Sequence, residues 1–438
     1  MAELTVDLSN LTAISKEVFP EGDQYWVQID RKTPALDLIE STDKIPFDGR
    51  TASDGRAWYF PVATSGHANP AVGSSGESAG LPSAGRMEMD RVVFNKASHW
   101  QALQISGEAI DTMIGGEYSI QDGLQLQMRE QMPEARKEFN RLVHGDGSGL
   151  IASPTSFTAN TITMDSTAYL RVGTELSIID LDDSTTQYPS TTTNAVLKVS
   201  SVDSSTVVTV TDGDGGNPGL TVGSSTAYGL YRYNSQGRSI NGFGIMCHDA
   251  NPSNWGSATS YYGGINRSTA NAWWQAYRLN ANSSTISVMN HIQPMIDTLR
   301  RRAGEYLRPG SDGVLWYGFT GYQNMRIIGN ALKADQRTAP NYMTLKGGWK
   351  GVEYEGAVFV IDDDAPASRI RFVHPGSVRR YVNRPWFWDD RTGAIWKRAT
   401  ATDGRDADVF KAYMYTRQQL ISVRSRTMGE IYGTTATS

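Results

Sequence analysis

The chain has 438 residues, with 41 Lys+Arg against 46 Asp+Glu and a formal net charge of −5, a balance that argues against a dedicated nucleic-acid binder with its concentrated basic footprint. The single cysteine, Cys247, excludes an internal disulfide framework, and no apolar run approaches the ~18 residues that a membrane-crossing helix requires. The 43 Gly, 11 Trp and 20 Tyr together point to many short strands joined by turns, over a length sufficient for two or three cores.

Residues 1–54 read as an N-terminal arm with one or two short helices, Leu8, Leu11, Ile14 and Val18 standing at helical spacing. The opening MAELTVDLSNL has neither a basic nor an apolar segment, so no signal peptide is expected. RAWYFPVA, at 56–63, reads as a strand. The following TSGHANPAVGSSGESAGLPSAG is too rich in Gly, Ser, Ala and Pro to bury a core. From Met87 to Ser106 apolar residues recur two apart, which gives a returning strand. Residues 55–107 thus form a long two-stranded ribbon. Such a ribbon is marginal alone in water and needs a neighbour, either its own domain or another subunit.

The stretch Ser119–Gly145 organises the chain. Ile120, Leu124, Met128, Met132, Ala135, Phe139 and Leu142 step by four and three, the spacing of one helical face, over a rod of roughly 36 Å. Ser119 and Asp122 have capping-box spacing, and Pro133 should kink or split the helix. HGDGSGLIA (144–152) makes a glycine-rich exit. Residues 153–232 are rich in Ser, Thr, Val and Asp, with strands at 155–164, 169–180, 194–202 and 205–212, and they read as a small all-β barrel or sandwich. An irregular aromatic stretch follows. A second amphipathic helix spans Ile286–Leu307, with Met289, Ile292, Ile296, Leu299, Ala303 and Tyr306 on one face. A shorter one runs from an N-cap at Thr320 to Leu332. The rest reads as strands, with its clearest hairpin turning at 389–393.

No stretch carries persuasive chemistry. His144, Asp146 and Ser148 lie two apart on one turn, whereas triad members converge from distant segments. Cys247, His248 and Asp249 are consecutive, so neighbouring side chains diverge. Asp362-Asp363-Asp364 suits a hard cation, but a strand-end turn explains it more simply, and Asp212–Gly216 lacks the closing Glu of a calcium loop. The six histidines show no metal spacing, and no P-loop or dinucleotide fingerprint is present. Tyr261-Tyr262, Trp273-Trp274 and Trp386-Phe387-Trp388 suit a sugar platform, but core or interface packing suits them better. Neither cofactor nor metal is expected.

The order of parts resembles the major capsid proteins of tailed double-stranded-DNA bacteriophages, the Hong Kong 97-like fold. Three segments carry the likeness: HGDGSGLIA after the long helix, MTLKGGWKGVEYEGAVFVIDDDAP at 343–366, and VRRYVNRPWFWDDRTGAIWKR with YMYTRQQLISVRSRTMGEIYG at the close. The resemblance implies an α+β chain divided into an N-arm (1–54), an E-loop β-ribbon (55–107), a P-domain with a spine helix (108–150), an inserted β domain (153–232), an A-domain with P-domain connections (233–376) and a closing P-domain sheet (377–438). It implies a structural, non-enzymatic subunit of an icosahedral head built from hexamers and pentamers, assembled in the host cytoplasm and found in the virion. The partners it implies are other copies of the chain, a portal, a separate scaffold, decoration proteins, and packaged double-stranded DNA held without sequence readout. No membrane is involved. The ribbon would lie over a neighbouring subunit, with Trp58, Phe60 and Val92 buried there and Glu77, Arg86, Glu88 and Arg91 setting register. Some relatives weld the shell through a ribbon lysine, but Thr64–Arg91 contains none and the nearest is Lys96, so no such crosslink is expected. Two other readings stay open: a β-rich carbohydrate-binding or carbohydrate-active protein, and a same-fold nanocompartment shell around a cargo.

Overall fold

A computed structural model describes residues 32–47, 49–52, 55–65, 86–108, 121–182, 187–188, 196–221, 227–251, 261–304, 308–310, 312–336, 342–400 and 406–435. The arm helix at 8–18, the ribbon tip with Glu77, the helix start at Ser119 and Ile120, and Tyr306 lie outside the described residues, as does the side chain of Leu124.

The chain opens with helix α1 (Pro34–Leu38) and strands β1 (Ser41–Thr42), β2 (Arg50–Thr51), β3 (Ala57–Ser65), β4 (Glu88–Asn95) and β5 (Ala97–Ser106). Helix α2 (Gln121–His144) follows and runs on through Pro133 without splitting. Nine short strands come next: β6 (Leu150–Ala152), β7 (Pro154–Ala159), β8 (Thr161–Met164), β9 (Glu175–Asp180), β10 (Gln187–Tyr188), β11 (Leu197–Val202), β12 (Val207–Asp212), β13 (Leu220–Thr221) and β14 (Tyr228–Arg232). Strand β15 (Tyr277–Ser284), helix α3 (Gln293–Ala303), β16 (Trp316–Thr320) and helix α4 (Tyr322–Gln336) precede β17 (Tyr342–Thr344), β18 (Lys350–Tyr354), β19 (Ala357–Ile361) and β20 (Arg369–Val373). The chain closes with β21 (Val378–Trp388), β22 (Trp396–Thr400), β23 (Asp406–Ser422) and β24 (Gly429–Thr434).

Four sheets result. β2, β3 and β4 make the ribbon, β6–β14 make one nine-stranded sheet, β15-β24-β20-β16-β19-β18-β17 make a seven-stranded sheet, and β1, β21, β22, β23 and β5 make a five-stranded sheet centred on β23. Each of three apolar clusters serves its own region. One joins α1, the ribbon root, α2, the β23 sheet and the face of the seven-stranded sheet that carries Tyr317, Phe319, Val358 and Val360, the second lies on that sheet's other face, and the third fills the β6–β14 unit. On α2 the buried Ala135, Phe139, Leu142 and Val143 form the stripe that the spacing predicts.

Several expectations are corrected. Met87–Ser106 is two strands: β4 pairs with β3 in the ribbon, and after the single residue Lys96, β5 pairs along β23 from Ala97↔Gln418 to Ser106↔Val409. The turn at 389–393 is an excursion on one side of a longer hairpin. β21 pairs with β23 down to Trp388↔Met414, and β22 resumes against the same strand at Trp396↔Ala412. The closing segment divides between sheets, since β24 pairs with β15 and β20. Thr320 ends strand β16, hydrogen-bonded there to β20, and does not cap a helix. A π turn at Val288–Ile292 precedes α3 and shifts the helical phase, which leaves Met289 exposed while Ile292, Met295, Ile296 and Leu299 are buried.

Candidate assembly surfaces and the junction that holds them

The ribbon has a buried root and an exposed outer half. Trp58, Phe60, Val92 and Phe94 are no more than 1% exposed, packed within the chain's own core. Trp58 meets Tyr381 edge-to-face at 4.4 Å, and Phe94 meets Tyr262 at 5.3 Å. This corrects the expectation that Trp58, Phe60 and Val92 bury against a second subunit: they anchor the ribbon to its own. The outer half carries exposed Met87, Glu88, Met89, Asp90 and Arg91, with exposed Arg86 just beyond the paired part. The Arg91 guanidinium lies over the Tyr59 ring at 4.5 Å. Strand alternation puts Glu88 and Asp90 on the side that holds Val92 and Phe94 at the root, while Met87 and Met89 share the other side.

The sheet centred on β23 also has two faces. Phe139 of α2 packs on His99 at 5.2 Å, among the buried Leu103, Ile105, Ala412 and Met414. Burial among these groups pushes the His99 imidazole down to about 4. The opposite face carries Trp100, Tyr413 and Tyr415 with Phe387. Trp100 stacks on Tyr415 at 4.3 Å and remains half exposed, and Phe387 closes on Tyr415 at 4.0 Å. Arg391 sits over Tyr415 at 5.1 Å, and Arg384 over Phe387 at 4.9 Å. Asp389 accepts from Arg391 at 2.6 Å and from Lys397 at 2.8 Å, hydrogen bonds that hold its carboxyl well below the usual range.

Behind these surfaces lies a buried polar junction. Asp362 and Asp364 leave the end of β19 and meet α2 and α1. Asp362 accepts from the Ala35 backbone N–H at 3.2 Å and from Asn140 at 3.1 Å, and it pairs with His144 Nε2 at 2.9 Å. Asn140 Nδ2 also reaches Asp364 at 2.6 Å, and its Oδ1 accepts from the Leu36 N–H. Lys137 and the Tyr169 hydroxyl complete Asp364 at 3.2 and 3.0 Å. Burial works against the Asp362 charge, yet His144 and the surrounding donors hold the carboxyl below its ordinary value. A second knot centres on fully buried Glu430, which takes Arg278 at 3.0 Å and Arg369 and Arg371 at 3.2 Å. Arg371 also donates to the His144 carbonyl, tying the end of α2 to the seven-stranded sheet. Gly242 meets the same helix end so closely that a Cβ there would lie 2.2 Å from the Gly145 carbonyl oxygen.

The β6–β14 unit attaches to α2 through Tyr169, Arg171 to Glu134 at 2.7 Å, and Arg232 to Glu138 at 3.2 Å. Its two chain ends are neighbours, because β6 pairs with β14 at Leu150↔Tyr231.

These contacts answer the chemical readings. His144 turns to Asp362, while Asp146 and Ser148 bond one another, so no triad forms. Cys247 is buried, its thiol pushed up to about 12 by that burial, and His248 is bound to the backbone of Ala250. Asp362 and Asp364 are saturated by protein donors, and among the described residues no cluster of three His, Cys, Asp or Glu side chains suits a metal ion. Asp212 takes backbone N–H groups of its own turn. Tyr262 and Trp274 stack in the core, which removes them from any sugar platform. Of the residues singled out in the sequence, the structure groups Glu88, Arg91 and Arg86 on the outer ribbon and Met128, Met132 and Phe139 on α2. Sequence reasoning missed Trp100 and the Asp362–Asn140–His144 junction. The alternation in SHWQALQIS does separate Trp100 from the buried Leu103 and Ile105, whereas nothing local pairs residues more than 200 apart.

Among solved structures, the chain aligns with the capsid asymmetric unit of cyanophage A-1(L) at a TM-score of 0.51 and 11% identity, over 98% of this chain and 100% of that one. The capsid of a native GTA particle aligns at 0.43 and 10% identity, over 96% and 98%. The holo-SrpI encapsulin complex of Synechococcus elongatus PCC 7942 aligns at 0.43 and 7%, over 95% and 93%. Scores of 0.43 add nothing to the fold assignment. No family model and no curated sequence matches the chain.

Proposed function

Because the chain has the fold of a phage major capsid protein, we propose that it is a structural shell subunit of an icosahedral phage head, assembling as hexamers and pentamers around double-stranded DNA and residing in the virion. The observation that carries this reading is the end-to-end alignment with a chain of the cyanophage A-1(L) capsid asymmetric unit. The ribbon supports it independently. Its root is fixed in the core while its outer half stands exposed with Met87 at 44% and Met89 at 62%, as expected of a segment completed by another copy.

In this reading residues 1–54 are the N-arm, 55–107 the E-loop, 108–150 the P-domain with its spine helix, and 153–232 an inserted domain on the outer surface. Residues 233–376 supply the A-domain, and the chain closes through 377–438. No catalytic step is assigned. A scaffold, a portal and decoration proteins are separate chains, assembly takes place in the host cytoplasm, and DNA is held without sequence readout.

Electron microscopy of the purified chain, alone and co-expressed with a scaffold, tests the proposal. Closed shells, or free rings of five and six, are expected. A folded monomer under both conditions overturns it, and shells filled with an enzyme cargo in place of DNA favour the nanocompartment reading.

A further inference from the structure

We propose that the cavity between α1, α2 and the neighbouring strands β1, β21 and β23 binds the C-terminal residue of a partner polypeptide. Arg380 and Arg136 take its carboxylate, Gln418 takes its amide N–H, and an apolar wall takes its side chain. The inference goes beyond the shell-subunit reading and does not depend on it.

The cavity has a volume of about 560 Å³, within the range of small-ligand sites. Its place follows from strand pairing. Ser41 of β1 lies opposite Arg380, while Arg380 and Val382 of β21 lie opposite Leu420 and Gln418 of β23, so Arg380, Val382 and Gln418 share one sheet face. Leu36, Phe139, Val382 and Trp386 supply the apolar wall. Two polar groups on the lining lack a counterpart. Arg380 is half-buried, its Nε has no hydrogen-bond partner, and among the described residues no carboxylate pairs with it, whereas adjacent Arg379 has Glu40 at 3.0 Å. Burial, and after it the charge of Arg136, hold the Arg380 guanidinium below its usual range. Arg136 is exposed and gives one N–H to Asp37 at 3.1 Å. Gln418 is only 3% exposed, and its amide N–H donates to the Thr416 hydroxyl at 2.8 Å. That hydroxyl gives its own proton to the Arg384 carbonyl at 2.7 Å, so toward Gln418 it can only accept, and the Gln418 amide oxygen is left without a donor.

These groups ask for an anion, an N–H donor and an apolar body side by side. An inorganic anion would satisfy the guanidiniums and leave the Gln418 oxygen and the apolar wall unmatched. An acidic residue within a chain brings a carboxylate and an N–H, but its side chain is then used and none remains for the wall. A C-terminal residue carries carboxylate, amide N–H and an apolar side chain on one Cα, and capture of a terminal carboxylate by arginine is a recurring mode of peptide recognition. Asp43 also stands on the lining, but it is exposed to water, which weakens its repulsion of an incoming carboxylate.

Ligand-observed nuclear magnetic resonance with the full chain tests this, using N-acetyl-L-leucine as the probe. Saturable binding is expected with a Kd of about 1 mM or tighter, the scale for a ligand of about a dozen heavy atoms. N-acetyl-L-leucinamide, which lacks the carboxylate, and acetate, which lacks the N–H and the side chain, are each expected to bind about tenfold more weakly or worse. Arg380→Gln is expected to weaken N-acetyl-L-leucine about tenfold and to leave the amide unaffected. Arg136→Gln, at an exposed position where the fold tolerates change, is expected to weaken it about threefold and decides the matter if Arg380→Gln does not fold. Absence of saturation by about 20 mM overturns the proposal, as does equal binding of the acid and the amide. Equal binding of acetate overturns it by making the site an adventitious anion hole. Tighter binding of N-acetyl-L-aspartic acid α-amide overturns it by assigning the cavity to an acidic side chain within a chain. Unchanged affinity in the folded arginine variants overturns it by placing the binding elsewhere.

Discussion

Replacing Asp362 by Ala should be among the most damaging single substitutions in the chain. Its carboxylate accepts from the Ala35 N–H, the Asn140 amide, the Asp364 N–H and His144, and its side chain is fully buried. Truncation leaves those donors facing a void. Breaking a buried ionic pair by removing one partner costs about 3–5 kcal/mol, which lowers the folded-to-unfolded ratio by a factor of roughly 150–5,000 at 1.36 kcal/mol per decade. Neighbouring Asp363 is exposed and provides the control, with an expected loss of under about 0.5 kcal/mol for Asp363→Ala. Urea titration followed by tryptophan fluorescence reads both, and Trp349, bonded to Asp37 at 3.2 Å beside α1, reports on the junction itself. The depressed carboxyl also sets a sign. Its contribution is fully present above the unfolded value of 3.8 and is lost as pH falls through the lower folded value, so Asp362→Ala should remove stability at neutral pH and change little in strong acid. Equal midpoints for Asp362→Ala and Asp363→Ala at neutral pH would refute the junction's role.

Other expectations follow from the same contacts. His99 stays neutral in the fold, so the unfolded chain takes up the proton first, and stability should fall between pH 6.5 and about 4 by on the order of 3 kcal/mol; His99→Phe should flatten that part of the pH–stability curve, and an unchanged curve would count against it. Gly242→Ala should yield insoluble or proteolysed chain on expression, because the added methyl meets three backbone carbonyls of the α2 terminus within 2.6 Å. Deleting 66–86 should leave a subunit with native near-ultraviolet dichroism that closes no shells; normal particles would remove the ribbon from assembly. Joining Leu150 to Tyr231 by a short glycine linker in place of the β unit should preserve the fold, since directly paired residues in antiparallel strands stand only ~5 Å apart, and loss of the remaining cores in hydrogen exchange would contradict this.

Periodic signals were legible in the sequence and long-range pairings were not. The stripe through Ala135, Phe139 and Leu142 is local, and it marks the face of α2 that the core covers. The strand candidates between 153 and 232 are equally local and correspond to β7, β8, β9, β11 and β12 within one sheet. The break at Lys96 shows in the sequence only as a change of phase, from buried Val92 and Phe94 at even positions to buried Ala97, Leu103 and Ile105 at odd ones, where the partner strand changes from β3 to β23. The expectation that Trp58, Phe60 and Val92 bury against a second subunit fails because alternation tells which side is apolar, not what covers it. The Asp362 triplet read as a turn, which its backbone is. Its role as the meeting point of α1, α2 and Tyr169 depends on residues between about 200 and 330 positions away.

The rooted ribbon has a mechanical consequence. Trp58 is wedged against Tyr381 on β21, and Phe94 against Tyr262, so the inner half cannot slide without disturbing the sheet that packs on α2. If the far half is gripped by another copy, a tug at that grip is not absorbed along a slack loop. It passes through the paired strands β3 and β4 into the core, and from there to the helix. Subunits joined in this way behave as links under tension, and the tilt of each is set by the pull of the next.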